Sequence, residues 1–226
     1  MITHRSLLSL NSASLIKNYV MEHSIEKINK YCIEENKYPF NENTDKNEII
    51  QAWLLLGLDT SAIHNKDGNT FLFFTQNLLY LSWLKQLKKL DVNLLNKNGQ
   101  SALFNADKKK MEFLIKEKID INVIDNNGRN ALFFAHKKIE FNYLIEKGID
   151  LNIITKQGTT IFDENKALLS DSELRFKLLK NMDLRIVKAS KFSNWSKKEK
   201  EFIIISEQEI LGKEFDNKKT TIKSRL

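Results

Sequence analysis

This 226-residue chain has very little cysteine, proline, glycine or histidine. The single cysteine, Cys32, excludes an internal disulfide and fits a reducing compartment. Four scattered histidines give no metal-ligand spacing, so the sequence predicts neither a metal site nor a cofactor. One proline and seven glycines leave few breaks in helical segments, which favours a mostly helical chain whose turns rely on asparagine.

Long apolar runs are also missing from the sequence. Residues 1–10 carry an arginine and a Leu-Leu pair, but polar residues interrupt them before the apolar core of a signal peptide can form. No stretch is long enough to cross a bilayer as a helix. We therefore expect a cytoplasmic protein without a membrane partner, and its 42% apolar content is enough for a sizeable core.

The net charge of +7 is confined to one end of the chain. Residues 175–226 hold 14 Lys or Arg against 7 Asp or Glu, so the rest of the chain is neutral. A basic segment can attract nucleic acid, an acidic protein or a membrane surface. Glu199, Glu201, Glu207 and Glu209 interrupt this segment. Such mixing is typical of a solvated helix and tail, so nucleic acid is the less favoured partner.

A pattern with a period of about 30 residues dominates the middle of the chain. Glycines recur at 68, 99, 128 and 158, with separations of 31, 29 and 30 residues. Each of the last three glycines follows an Asp-x-Asn triplet by eight residues, at 91–93, 120–122 and 150–152. This period is typical of stacked supersecondary units, in which glycine at positive φ closes a projecting polar turn. A stack of this kind offers a long contact surface and no buried pocket for catalysis, which predicts a binding module.

Each turn is followed by the pattern of a helix start. A residue able to cap a helix comes two positions after each glycine: Thr70, Ser101, Asn130 and Thr160. An apolar pair then opens the first helix, at 72–73, 103–104 and 132–133. A second helix is predicted from apolar spacing at Met111, Leu114 and Ile115 in one copy and at Ile139, Leu144 and Ile145 in the next.

These copies resemble ankyrin repeats, and Gly148-Ile-Asp150-Leu-Asn152 is a close match to the end of the ankyrin motif. The motif's usual proline is replaced by Phe71, Ala102, Ala131 or Ile161, and its usual histidine by Phe73, Phe104 or Phe133. The resemblance covers residues 47–165 and implies an all-α solenoid of helix-turn-helix repeats. The copies are shorter than usual, so we expect residues 107–110 to form a tight connection between the two helices.

The short copies, with A-L-F-x-A followed by L-I-x-x-G-x-D-x-N, also resemble the ankyrin-type immunity proteins of bacterial toxin systems. That resemblance implies a protein that binds and neutralises a cognate toxin domain. The implied contact surface is the groove of turn tips and first helices, with Arg129 as the favoured anchor. The partner-binding residues expected there are Lys66, Asp67, Asn69, Lys97, Asn98, Gln100, Asn126, Asn127, Arg129, Lys156, Gln157 and Thr159.

Outside the repeats the sequence predicts helical caps. Residues 1–46 form an N-terminal cap, with Leu15 and Ile16 on one helical face and Ser24 capping a second helix. Residues 166–211 form a C-terminal cap, because 170–173 and 196–199 are both capping-box patterns. Residues 202–205 could be a buried strand, but the helix is favoured. Residues 212–226 lack an apolar period and are expected to be a disordered basic tail.

Nothing in the sequence indicates catalysis or a small-molecule substrate. His136 has no nucleophile or second ligand at suitable spacing, and Cys32 lies on an apolar helix face. The glycines occur one per turn and not in the clusters that bind phosphate. The sequence therefore predicts no enzyme. Two alternatives to an immunity protein stay open, a nucleic-acid-binding regulator acting through the basic segment and an effector or adaptor for an unrelated protein.

Overall fold

The computed structural model describes residues 2–35, 37–39, 47–63, 65–165, 170–192 and 195–223. These residues form helices and turns and no β-strand, so the predicted all-α class is confirmed. The chain divides into two compact units, Met1–Asn126 and Asn127–Leu226. The first contains α1 (His4–Leu8), α2 (Ala13–His23), α3 (Ile25–Glu35), α4 (Asn47–Leu55), α5 (Phe71–Phe74), α6 (Leu78–Gln86) and α7 (Lys108–Lys116). The second contains a 3₁₀ turn (Ala131–Phe134), α8 (Lys138–Glu146), α9 (Ile161–Glu164), α10 (Ser172–Asn181), α11 (Leu184–Ala189) and α12 (Lys197–Lys223).

The first unit is built on a core shared by α2, α3 and α4. Trp53 on α4 is fully buried, as are Ile16, Ile28 and Cys32 on the other two helices. Ser24 caps α3 as predicted, because its Oγ accepts the N–H of Lys27 at 3.4 Å. Burial of these side chains removes apolar surface from water and so holds the N-terminal helices against α4, the helix that begins the predicted repeats.

The first helices of the copies are much shorter than the second helices. α5, the 3₁₀ turn and α9 have four residues each, and residues 102–105 form only a turn, whereas α6, α7 and α8 have nine residues each. Asn77 and Asp107 cap α6 and α7 through their side chains, so the second helix starts before a second turn of the first can form. The expectation that residues 107–110 form a connection is wrong, because Lys108 to Lys110 lie in α7.

Most of the predicted apolar positions of the repeats form the core. Leu103, Leu132, Leu114 and Leu144 are all buried. Ile139 is exposed, contrary to prediction, and the buried apolar residues of α8 are Phe141 and Leu144. Since α8 begins at Lys138, Phe141 and Leu144 share a face three residues apart and Ile139 points away from it.

The predicted caps of the first helices fall into two groups. Asn130 accepts the N–H of Leu132 at 3.2 Å and donates from Nδ2 to the carbonyl oxygen of Asp150 at 2.7 Å. Thr160 forms a capping box with Asp163. The buried hydroxyls of Thr70 and Ser101, by contrast, have no hydrogen-bond partner among the described residues.

The C-terminal helices differ from expectation at two places. The cap of α10 is Asp171, one residue after the predicted Ser170, while the predicted box of Ser196 and Glu199 does open α12. α12 continues without a break to Lys223, so the expectation of a disordered segment from Gly212 is wrong for the backbone of residues 212–223. This segment contains no proline and several good helix formers, so the helix started at Ser196 can propagate through it. Residues 224–226 lie outside the described residues.

Substitution of one cap from each group tests whether the cap hydrogen bonds contribute to stability. We expect Ser101→Ala to leave the free energy of unfolding unchanged or slightly higher, because the alanine removes a buried hydroxyl that has no hydrogen-bond partner in the described part of the chain. We expect Asn130→Ala to lower it by about 1–3 kcal/mol, since two hydrogen bonds made by this buried side chain are lost. Urea denaturation followed by circular dichroism measures both. Equal destabilisation by the two variants would contradict this assignment.

Candidate protein-binding surface

The turns that precede the first helices are held by hydrogen bonds between the first side chain of the turn and the backbone of the same turn. Oδ1 of Asn96 accepts the N–H groups of Asn98 at 2.9 Å and Gln100 at 3.0 Å. Oδ1 of Asn65 accepts those of Asp67 and Asn69, both at 2.9 Å. Asparagine suits this position because its short side chain reaches its own backbone two residues on. Gly68, Gly99, Gly128 and Gly158 close the four turns at φ between +71° and +80°, as predicted.

Successive turns are also joined to each other through backbone hydrogen bonds. In the first unit, Lys97 N–H donates to the carbonyl oxygen of Asp67 at 3.0 Å and Asn126 N–H to that of Asn98 at 2.8 Å. In the second unit, Lys156 N–H donates to the carbonyl oxygen of Asn127 at 2.9 Å. The exposed turns are therefore held in place before any partner binds, which reduces the ordering cost of binding.

The structure places the predicted partner-binding residues in two groups. In the first unit it brings together Lys66, Asp67, Asn69, Lys97, Asn98, Gln100 and Asn126, and in the second unit Asn127, Arg129, Lys156, Gln157 and Thr159. Eight of the twelve are exposed; Asn69, Gln100, Arg129 and Thr159 are half-buried.

Several of these side chains already bind within the protein. Nδ2 of Asn96 donates to Oδ1 of Asn69 at 2.8 Å, and Nδ2 of Asn126 donates to the carbonyl oxygen of Lys97 at 2.9 Å. Nζ of Lys97 donates to the carbonyl oxygen of Lys66 at 2.9 Å. These side chains hold the turns together, so replacing them would change the surface as well as any contact to a partner.

Arg129 illustrates the same point in the second unit. Its guanidinium carbon lies 4.6 Å from the centroid of the Phe134 ring, and its Nη1 lies 3.9 Å from Oε2 of Glu164. The aromatic ring and the carboxylate expected from a partner are thus both available inside the unit. Its role as the favoured anchor stays a prediction.

Sequence reasoning missed an exposed apolar residue directly before each of the last three turns. Leu95 and Ile124 in the first unit are 52% and 54% exposed, and Ile154 is similarly exposed in the second unit. The signal was present, because each of these residues follows another apolar residue after the Asp-x-Asn triplet. In extended backbone, neighbouring side chains point to opposite sides, so one of each pair must face solvent.

Cys32 and Lys110 are buried side chains with titratable groups. Burial raises the pKa of the Cys32 thiol to about 12, which leaves it protonated and unreactive. Burial lowers the pKa of Lys110 to about 7, against the opposing effect of the Asp107 charge. The amine of Lys110 donates to the carbonyl oxygens of Leu72 at 2.7 Å and Phe73 at 3.0 Å and is inaccessible to solvent, so it holds α5 to α7.

The middle of the chain matches a known family of protein repeats. Residues 75–155 match the model of ankyrin repeats in three copies. These residues form ankyrin repeats. Ankyrin repeats generally mediate protein–protein interaction and are typically non-enzymatic. A search of curated proteins found no significant match. Within the described ranges, no helix is long and apolar enough to cross a membrane, and no group of three or more His, Cys, Asp or Glu could hold a metal ion.

The buried amine of Lys110 predicts a specific pH dependence. In the unfolded chain Lys110 has its ordinary pKa of 10.5, so between about pH 7 and 10.5 the unfolded state binds more protons than the folded state. Stability should therefore rise with pH across this window. In urea denaturation from pH 7 to 10, the parent should gain stability relative to Lys110→Met, which carries no titratable group. Parallel pH curves for the two proteins would contradict the prediction.

Proposed function

We propose that this chain is an immunity protein that neutralises a cognate toxin domain by forming a stoichiometric complex with it. The resemblance of its short ankyrin repeats to ankyrin-type immunity proteins supports this proposal. The toxin would be held against the turns of the repeats, and inhibition would require no turnover.

The main support for this binding surface is a pair of exposed apolar side chains, Leu95 and Ile124, beside the hydrogen-bonded turns of the first unit. Both side chains are exposed at equivalent positions of neighbouring copies, next to Lys97, Asn98 and Asn126. Tight protein complexes draw most of their binding energy from a few apolar, aromatic or arginine anchors surrounded by polar contacts. Leu95 and Ile124 fit the role of anchors, while the exposed turn residues fit that of the polar rim.

The hydrogen-bonded turns favour a protein partner that is bound without rearrangement. The backbone of the turns is held by bonds from Lys97 to Asp67 and from Asn126 to Asn98. Specific inhibitors gain affinity when their contact surface is ordered before binding, because fewer degrees of freedom are lost in the complex. A surface of this kind discriminates among related toxins through shape and through unfavourable contacts with the wrong partner.

Substitution of the two apolar anchors tests the proposal. We expect the parent to protect cells from the toxin encoded beside its gene, and the double variant Leu95→Glu, Ile124→Glu to lose that protection. Each glutamate would place a charge where an apolar contact is expected and should weaken the complex by at least about 2 kcal/mol. Titration calorimetry with the purified, inactivated toxin measures the affinity, and a stoichiometry of one to one is expected.

Leu79→Glu is the matched control. Leu79 lies on α6 of the same unit, is not part of a turn, and is 52% exposed like Leu95. This variant should protect as well as the parent. All variants should keep the parental melting temperature, since no buried side chain is changed. Protection by the double variant would contradict the proposed surface, and failure of the parent to bind any such toxin would contradict the immunity role.

A further inference from the structure

A second candidate binding surface lies in the second unit and is formed by its C-terminal helices. It is a groove of about 680 Å³ between α12 on one side and the corner where α10 meets α11 on the other. We call it the C-terminal groove. Its volume is in the range of sites that bind ligands, and its lining is mainly apolar. None of the twelve predicted partner-binding residues lines it.

The floor and one wall of the C-terminal groove are apolar. Leu179 and Met182 at the end of α10 are buried beneath it, and Phe202 of α12 closes one end. Ile210 and Leu211 form the wall and stay exposed, with Leu211 at 64%. A cluster of exposed, branched apolar side chains next to a concave floor is typical of a docking site.

A buried ion pair joins α10 to the start of α12. Nε of Arg175 donates to Oε1 of Glu199 at 2.9 Å, and Nη2 donates to Oε2 at 3.3 Å. Burial raises the pKa of Glu199, but hydrogen bonds from Arg175 and Ser196 and the arginine charge outweigh it and lower the pKa overall. Phe176 and Phe202 pack edge to face at 5.2 Å. These contacts fix the position of α12 against α10, so the groove is preformed.

The charge at the rim is positive. Lys180, Arg185 and Lys188 line the groove, with Asp183 and Glu207 as the opposing carboxylates. Arg185 pairs with Asp183 and Lys188 with Glu207, so the rim as a whole carries an excess of one cation. The groove also lies in the segment 175–226, which holds the whole net charge of +7. An occupant that brings carboxylates is therefore attracted.

The apolar floor and the positive rim favour one kind of occupant for the C-terminal groove. A second copy of the chain would bring the same excess of positive charge and be repelled. A nucleic acid would gain little from the apolar floor, and two of the rim cations already bond to carboxylates. An amphipathic helix offers both an apolar stripe for the floor and acidic residues for the rim, and grooves between helices commonly receive such helices.

We propose that the C-terminal groove docks an acidic amphipathic helix of a protein partner. This is a second interaction surface of the chain, and it does not depend on the toxin contact at the turns. The partner helix would lie along α12, with its apolar face against Ile210 and Leu211 and its carboxylates towards Lys180.

Fluorescence anisotropy with the full chain and designed peptides tests this proposal. The probe is a labelled peptide of about five helical turns, with leucine at helical spacing and glutamate elsewhere. The comparison peptide has lysine in place of every glutamate. The protein should bind the acidic peptide at least about tenfold more tightly than the basic one, and Lys180→Glu should reduce that preference.

Variants of α12 provide a matched control for the apolar contact. Leu211→Ser should weaken binding of the acidic peptide by at least about tenfold. Ile205→Ser should not, because Ile205 is 55% exposed on the same helix and does not line the groove. Both changes are at exposed positions, so an unchanged melting temperature is expected.

Three results would overturn the proposal. The first is equal affinity of the two peptides, or equal effects of Leu211→Ser and Ile205→Ser. The second is tighter binding of a labelled DNA duplex than of the acidic peptide, with a steep dependence on salt, which would assign the groove to nucleic acid. The third is a dimer in analytical ultracentrifugation that Leu211→Ser dissociates, which would assign it to a second copy.

Discussion

The arrangement of the turns depends on the backbone hydrogen bonds that join successive turns within each unit. A projecting loop without such bonds would be free to change shape, and its side chains would have no fixed arrangement. Here Lys97 donates to Asp67 and Asn126 donates to Asn98, so the turns of the first unit form a connected ladder. Asparagine at the first position of a turn and glycine near its end make this geometry accessible, the first by bonding to the backbone and the second by adopting positive φ.

The ladder also decides which side chains remain for a partner. Asn126 and Lys97 direct their side chains to neighbouring carbonyl oxygens, and Arg129 packs on Phe134 inside its own unit. Polar residues that appear available in the sequence are therefore partly used to build the surface. The apolar side chains of Leu95 and Ile124 have no comparable use, so they are the better candidates for anchors.

The repeat architecture could be predicted because the period of the glycines, the polar turns and the apolar pairs all place the repeats in the same sequence register. Details that depend on competition between neighbouring sequence signals could not be predicted. The first helices are short because the next helix begins early, as α7 does at its cap Asp107. This effect is visible in the sequence only when the caps of the first and second helices are considered together. The buried amine of Lys110 was missed because a lysine in a basic run normally predicts an exposed position. The extension of α12 past Gly212 was missed because apolar periodicity, and not helix propensity, was used to set its end.

Hydrogen exchange at the turn amides is the most direct test of this account. The N–H groups of Lys97 and Asn126, which donate at 3.0 and 2.8 Å, should exchange at least about a hundredfold more slowly than in an unstructured peptide, even without a partner. Exchange at the rate of an unstructured peptide would show that the turns are not held together in the free protein, and would contradict the claim that the binding surface is formed in advance.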